Sequence, residues 1–372
     1  MTDTILVYRD VILPASETGF MRRQYVGFSR LSPLWIGRRI TPDGVGTGFE
    51  THRLGGSGPL GALRRLAFKE GGSVPDLATL RARRPLLLHA QFGRGGALAL
   101  PIARALGLPL AVTFHGGDAH KDKHYETGPM QGVFARRLEA LKAEARLFIC
   151  VSESVRQKLL QRGFPPGRLL VHAIGTDIPP TAPPPRKAGP LLFVGRFVPK
   201  KGVSTLIQAL HLLRAEGQEP EMVIVGDGPL GEALQAAAGG LQHLRFLGWQ
   251  PREAVTRLMQ EASCLVVPSI RAADGDAEGL PSVAVEAMAQ SLPIIGSDAA
   301  GLDGVVLPGR TGLLVPASDA PALARAMADM MRATDRRMGM GTAARALAQG
   351  AFDARAQSRS LEALLLSITR GP

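Results

Sequence analysis

Leu191-Leu192-Phe193-Val194-Gly195-Arg196-Phe197-Val198-Pro199-Lys200-Lys201-Gly202 passes from four apolar residues through a glycine into a basic turn. An unbroken apolar run of that length, closed by glycine, predicts a strand buried on both faces. The pattern then changes to helical periodicity over Val203 to Leu213, giving a strand, loop and helix in one unit. Outward toward the C-terminus the unit recurs, with strands at Met222 to Val225, Leu244 to Phe246, Cys264 to Val267 and Pro293 to Gly296. Helices Leu230 to Ala238, Arg252 to Glu261 and Pro281 to Ala289 lie between them, and Asp319 to Met331, Asp335 to Gln349 and Asp353 to Leu366 finish the chain. Toward the N-terminus the same alternation appears in strands Pro85 to His89, Leu110 to Phe114, Leu147 to Val151 and Leu169 to Ala173. Helices Ala97 to Leu106, Val133 to Ala145 and Ser152 to Gln161 separate these, and Thr4 to Tyr8 reads as an opening strand. Alternation of this kind specifies an α/β chain with parallel sheets covered by helices.

At 372 residues the chain exceeds what one core ordinarily serves, so two domains are expected. A stretch with six prolines, Pro179, Pro180, Pro183, Pro184, Pro185 and Pro190, reads as a stiff linker between them. The boundaries are then 1–178, a linker over 179–190, and 191–351, with a last helix over about 352–370 that packs back on the first domain. Residues 30–60, rich in Gly44, Gly46, Gly48, Gly55, Gly56 and Gly58, place no strands by pattern. In such sheets ligands bind beyond the carboxyl ends of the strands, so the strand exits are the residues to read.

The net charge of +12 is divided unequally: residues 1–180 hold 25 Lys and Arg against 14 Asp and Glu, and residues 181–372 hold 19 against 18. A basic first half suits an anionic partner such as a membrane surface, or is a plain solvated basic face. The basic piece Leu60 to Lys69 reads either as an element lying on a membrane or as an ordinary surface helix. Aromatics are 5% of the chain and no RNA-stacking or zinc-finger pattern occurs, which argues against nucleic acid. Cys150 and Cys264 sit in apolar runs, as inert buried thiols of a reducing compartment do. No apolar run reaches a membrane span and the start lacks signal-peptide character; a cytoplasmic location, or attachment at the inner membrane face, is expected.

Four exits carry chemistry. Arg196 and Lys201 follow a strand and open a helix, a pairing of cations and free N–H groups suited to a diphosphate. Glu278-Gly279-Leu280-Pro281-Ser282-Val283-Ala284-Val285-Glu286 sets two carboxylates around a helix start; a helical rise over that spacing is about 12 Å, the span from sugar to ribose across a diphosphate. Gly226-Asp227-Gly228-Pro229-Leu230-Gly231 matches GxGxxG, yet the next strand end, Leu244 to Gly248, has no acid to hold a ribose. The turn is therefore read as lying close to a base or ribose, with a dinucleotide oxidoreductase as the alternative. His115 leaves an apolar strand before Gly116-Gly117, placed to donate to a phosphate or a sugar hydroxyl, or else structural. Asp274-Gly275-Asp276 has the form of a metal-holding DxD, but cations already present make a metal redundant; no metal and no cofactor are expected.

Together these pieces resemble the retaining GT-B glycosyltransferases of family 4, the glycosyl transferases group 1. The likeness runs through GRFVPKKG, VGDGP, Val267-Pro268-Ser269, EGLPSVAVE and Thr311 to Val315, and more thinly through Thr113-Phe114-His115-Gly116, Val151-Ser152 and Gly175-Thr176-Asp177. His89-Ala90-Gln91-Phe92-Gly93 and Ser16-Glu17-Thr18 resemble the colanic-acid and exopolysaccharide transferases in particular. The resemblance implies two Rossmann-like domains facing across a cleft. It also implies a nucleotide-sugar donor and a saccharide or lipid-linked saccharide acceptor. His115, Arg196, Lys201 and Glu278 become the catalytic set. Gly195, Gly226, Gly228, Gly279, Leu280, Pro281, Ser282 and Glu286 join the last three around the donor, with Glu286 on the ribose and Glu278 on the sugar. Two departures follow: Ser16-Glu17-Thr18-Gly19 replaces a Gly-Gly loop, and the acid expected near Gly301 is displaced to Asp303.

Overall fold

The computed structural model describes residues 2–13, 15–41, 48–126, 131–183, 187–299 and 301–369, with the backbone alone for 15–18. Gly44, Gly46, Pro184 and Pro185 lie outside the described residues, as do the side chains of Ser16, Glu17 and Thr18. The chain forms two compact units, residues 1–175 with 354–372, and residues 176–353. The first unit closes at residue 175, three residues ahead of the expected boundary.

The first unit runs β1 Asp3–Tyr8, β2 Val11–Ile12, α1 Ala15–Arg23, β3 Leu31–Gly37, β4 Arg39–Ile40, β5 Glu50–Arg53, α2 Gly58–Gly71, α3 Leu77–Ala82, β6 Leu87–Gln91, α4 Gly93–Leu106 and β7 Leu110–Phe114. It continues with α5 Gly117–His120, α6 Val133–Glu144, β8 Leu147–Cys150, α7 Glu153–Gln161 and β9 Leu169–Val171. Its main sheet has the order β5-β3-β1-β6-β7-β8-β9, and every pairing is parallel. The strand order reverses between β1 and β6, so the crevice beyond their carboxyl ends is the place for a ligand.

The second unit holds β10 Leu191–Val194, α8 Val203–Ala215, β11 Met222–Val225, α9 Gly231–Ala237, β12 Leu244–Phe246, α10 Arg252–Glu261 and β13 Cys264–Val267. It ends with α11 Ser282–Ala289, β14 Ile294–Ser297, β15 Gly312–Val315, α12 Ala320–Arg332 and α13 Thr334–Ala351. Its parallel sheet has the order β12-β11-β10-β13-β14-β15, reversing between β10 and β13. The apolar runs read from sequence are the buried strands of this sheet, and Leu206, Ile207, Leu210, Leu323 and Met327 cover it from α8 and α12.

Three local differences from the sequence reading have physical causes. Strands β3, β4 and β5 lie in the stretch where none was placed, because Pro33 and a run of glycines hid them; Pro33 is taken into the ladder opposite Ile5. Helix α4 starts four residues earlier than expected, through Gly93, Gly95 and Gly96. These glycines bring the helix onto the sheet, since a Cβ at Gly93 or Gly96 would meet Phe114 or Val112. The proline-rich stretch is not a free strut either: Arg345 Nη2 donates to Pro179 O, and Arg337 Nη2 donates to Lys187 O at 2.7 Å.

The final helix, α14 Ala354–Ser367, packs on the first unit. Leu361 and Leu365 enter the core with Ile5, Tyr25 and Trp35, and Ser358 donates to Gln24 O at 2.9 Å. Glu362 Oε1 accepts the backbone N–H groups of Ser29, Arg30 and Leu31 at 2.9, 2.7 and 2.8 Å. A buried carboxylate satisfied by three amides is a strong anchor.

Candidate active site

In the second unit the reversal of strand order brings the loops after β10 and β13 together. Lys200 and Lys201 end a single 3-10 turn, and Gly202 follows in the left-handed conformation at φ 65°. A Cβ at Gly202 would overlap Pro268 O, so glycine is what lets the loop lie against the β13 exit. The Ile270 N–H donates to Lys200 O at 2.8 Å and fixes that approach. The consequence is electrostatic: Glu278 Oε1 lies 3.3 Å from Lys201 Nζ and 3.4 Å from Lys200 Nζ. Glu278 is buried; burial pushes its carboxyl up, but the charges of Lys201 and Lys200 outweigh it and hold it below its ordinary value. Its Oε1 sits between the two ammonium groups, which keep the buried carboxylate ionised.

Lys200 joins this group although sequence reading passed over it. It also pairs with Asp276 Oδ1 at 3.3 Å, so one arm of the DxD is occupied by an ammonium. Asp274 Oδ1 accepts the Asp276 N–H at 3.1 Å, a turn contact within the loop. The adjacent lysines and the acidic loop were visible in sequence; their meeting follows from the strand order. Among the described residues no cluster of His, Cys, Asp and Glu is arranged to hold a metal.

Gly195 takes the stem of Lys201 at 3.5 Å from the place of a Cβ, and Arg196 beside it is exposed. Glu278 and Gly279 are buried ahead of α11, whose N-cap is Pro281 and first residue Ser282. The residues 278–280 are therefore loop, and the helical spacing proposed for the two glutamates does not apply. Glu286 is half-buried in the second turn of α11. Gly301, at φ 61°, would drive a Cβ into Gly279 O, so the loop after β14 braces the Glu278 loop. Asp303 beyond it is exposed.

The GxGxxG turn packs against the loop that carries Arg196. Gly226 and Gly228 have φ 139° and 154°, and a Cβ at either would strike Gly195 O or the Phe197 backbone. The Phe197 N–H donates to Asp227 O at 2.8 Å and the Leu230 N–H donates to Phe197 O at 3.1 Å. The glycines thus lock the turn under the Arg196 loop, where a dinucleotide fingerprint would open its backbone to a pyrophosphate.

In the first unit His115 leaves β7 beside the strand reversal. Asp118 Oδ1 accepts the N–H groups of His115 and Gly116 at 2.9 and 3.0 Å, and Oδ2 accepts that of Gly93 at 2.9 Å. One carboxylate so ties the β7 exit to the start of α4. The His115 ring lies 4.4 Å from Phe92 and 5.3 Å from Phe20, and its Nε2 is 2.7 Å from Gln91 Oε1. Burial, then the charges of Arg9 and His89, push its pKa down to about 3, so at neutral pH it is an uncharged imidazole. Structure thus brings Lys201 and Glu278 together in one unit and sets His115 at a strand exit of the other.

Residues 178–347 match the family model of glycosyl transferases group 1, and residues 19–175 match that of the glycosyl transferase 4-like domain. The amylovoran biosynthesis glycosyltransferase AmsK of Erwinia amylovora is 30% identical over 292 residues, 75% of this chain and 69% of that one. The chain belongs to the glycosyl transferases group 1. A Salmonella typhimurium protein named for colanic acid biosynthesis, WcaL, is also 30% identical, over 75% of this chain and 70% of its own. Among solved structures the Anabaena protein HepE in complex with UDP and glucose aligns with a TM-score of 0.76 at 20% identity. The alignment covers 98% of this chain and 100% of that one. The two parallel-sheet units are those of the GT-B fold, and the chain is a glycosyltransferase with relatives in exopolysaccharide biosynthesis.

Proposed function

We propose that the protein transfers a hexose from a nucleotide sugar to a saccharide or lipid-linked saccharide during assembly of an exported polysaccharide, with retention at the anomeric carbon and without a metal. The observation that carries this is the meeting of Lys200, Lys201 and Glu278 where the strand order of the second unit reverses. Lys201 and the exposed Arg196 supply positive charge for the leaving diphosphate, and the backbone N–H groups of Leu280, Ser282 and the residue after it, which flank Pro281 at the start of α11, add dipoles of the same sign. Glu278, kept ionised, accepts hydroxyl protons from the donor sugar, and Glu286 takes the ribose. Catalysis is then positioning plus stabilisation of charge that develops on the diphosphate. The lysines supply the charge that a metal would bring, and Lys200 already occupies Asp276, which supports the metal-free reading. Attack from the face that the diphosphate leaves, with a phosphate oxygen taking the acceptor proton, gives retention.

The acceptor side lies with an anionic membrane surface. Helix α2 exposes Leu60, Leu63 and Leu66 by 62, 64 and 54%, three leucines at helical spacing that no described residue covers. Arg53 and Arg64 beside them are exposed, and the Arg65 guanidinium is lowered by burial and then by the charges of Arg53 and Arg38. An apolar stripe with clustered cations is what an interfacial helix presents to acidic headgroups. No helix among the described residues is long and apolar enough to cross a membrane, and the reading asks only for attachment at the inner face. Screening nucleotide release over a panel of nucleotide sugars after exhaustive chelation tests the proposal. Turnover of one donor with product of unchanged anomeric configuration supports it; strict dependence on added metal, or inversion, overturns the corresponding part.

A further inference from the structure

Behind His115 runs a line of buried polar side chains. Gln91 Nε2 donates to the Tyr25 hydroxyl at 2.6 Å and to Gln24 Oε1 at 3.2 Å. The Tyr25 oxygen lies 2.8 Å from His89 Nδ1, and His89 Nε2 lies 2.7 Å from Thr113 Oγ1. Gln91 and His89 are fully buried, and Tyr25 and Thr113 are 2% exposed. Buried polar groups at such distances are obliged to pair donor with acceptor.

That obligation orders the whole line. Both amide hydrogens of Gln91 are spent, so the Tyr25 oxygen accepts one and its O–H must donate onward to His89 Nδ1. His89 is then an Nε2–H ring, and that hydrogen goes to Thr113. At the other end Gln91 has only its carbonyl oxygen to offer, so His115 Nε2 carries the hydrogen it donates there. The opposite ordering turns over the amides of Gln91 and Gln24 together and lets Gln24 Nε2, buried without a partner in the first ordering, donate to Gln91 Oε1. What decides against it is that both imidazoles would then be in the Nδ1–H form, the less stable neutral tautomer.

We propose that Gln91 is a positioning residue which, backed by Tyr25, His89 and Thr113, holds His115 in the Nε2–H tautomer and so makes Nδ1 a hydrogen-bond acceptor for a sugar hydroxyl. A neutral ring whose donor is already used offers nothing to a phosphate oxygen, so the two roles open to His115 from sequence are separated by its neighbours. The groups facing it agree. Arg9, from the end of β1, and His89, on β6, disfavour a second proton; Asp118, on α5, is engaged with backbone N–H groups. Phe92 and Phe20 flank the ring. The inference rests on His115 lying by the donor or acceptor sugar.

Long-range nitrogen NMR on the histidine-labelled protein reads the tautomer directly. The wild type is expected to show His115 and His89 as Nε2–H rings that stay neutral well below pH 6. Gln91→Glu places a carboxylate against Nε2–H and raises the His115 pKa. It also accepts the Tyr25 hydroxyl hydrogen, so the Tyr25 oxygen becomes an acceptor and His89 switches to Nδ1–H. Gln91→Leu removes the acceptor, mixes the His115 tautomers and lowers kcat about tenfold with the donor KM within twofold. A wild-type His115 in the Nδ1–H form, or an unmoved His115 pKa in Gln91→Glu, overturns the relay. Thermal melts confirm that the variants fold, and Gln91→Glu keeps the measurement available should Gln91→Leu not. His115→Ala separates the two ideas: if it transfers sugar at the wild-type rate while the nitrogen spectra behave as stated, the placement of His115 at the sugar is wrong and the tautomer relay stands.

Discussion

Replacing Glu278 by alanine should cost more stability than replacing Lys201, although the two form one ion pair. At 3.3 Å and an effective dielectric constant near 20, the attraction is about 5 kcal/mol before desolvation is charged against it. Removing Glu278 leaves Lys200 with Asp276 at 3.3 Å but strands Lys201, whose side chain is 15% exposed. Breaking a buried pair in that way costs about 3 kcal/mol. Lys201→Ala leaves Glu278 with Lys200 at 3.4 Å, so the loss falls to about 1 kcal/mol. For a unit of this size the melting temperature should drop by about 6–12 °C in the first variant and about 2–4 °C in the second. The pH dependence has a definite sign. The folded Glu278 carboxyl is held below its ordinary 4.5, so its contribution is complete above that value and disappears as pH falls through the folded one. Differential scanning calorimetry at pH 7 and at pH below 4.5 should show the gap between wild type and Glu278→Ala closing in acid. Equal losses for the two variants at pH 7, or a gap that persists in acid, would refute the pairing.

Gly228→Ala should lower stability by about 1–3 kcal/mol because its backbone lies at φ 154° and its Cβ would strike Phe197. Gly231→Ala, 3.7 Å from the Phe197 ring, should be near neutral; urea melts compare them. His89, fully buried and pushed down to about 3 by burial and then by His172, binds no proton in the folded chain between that value and 6.5. His115, held down to about 3 in the same way, adds an equal share, so stability should fall by about 2.7 kcal/mol per pH unit as pH drops across that window; denaturant titrations from pH 7 to pH 4 measure the slope, and removing either histidine should halve it. Glu362→Ala frees three N–H groups, of which that of Leu31 is buried, and should destabilise the first unit by about 2 kcal/mol, read as early loss of α14 protection in hydrogen exchange. Leu60→Glu with Leu63→Glu should abolish sedimentation with acidic vesicles and leave the melting temperature unchanged, because both side chains are mostly in solvent.

The sheets were legible because their strands are unbroken apolar runs, buried on both faces, with turn residues between them. Where that signal was diluted the reading failed: Pro33 and the glycines around it concealed β3 and β5, and Gly93 to Gly96 look like a loop until Phe114 and Val112 are seen to require them. Lys201 and Glu278 were legible through the spacing of their motifs. Lys200 was not, since its role depends on which loops the strand order brings together. Gln91 stood in the sequence only as part of a motif resemblance, with no role of its own; its meaning comes from Tyr25, 66 residues away in sequence. The two glycines of the GxGxxG turn were read as lying close to a base or ribose; what the sequence did not show is that they also pack the turn against Phe197 and Gly195.

The central claim is that the donor diphosphate binds over the Lys201 and Glu278 pair of the second unit. Donor-dependent nucleotide release by Lys201→Ala, set against wild type under chelating conditions, tests it most directly. A loss of about a hundredfold or more in kcat/KM, with the second unit still melting cooperatively, is expected from removing a cation that faces the leaving group. Wild-type turnover and nucleotide affinity in that variant would contradict the account.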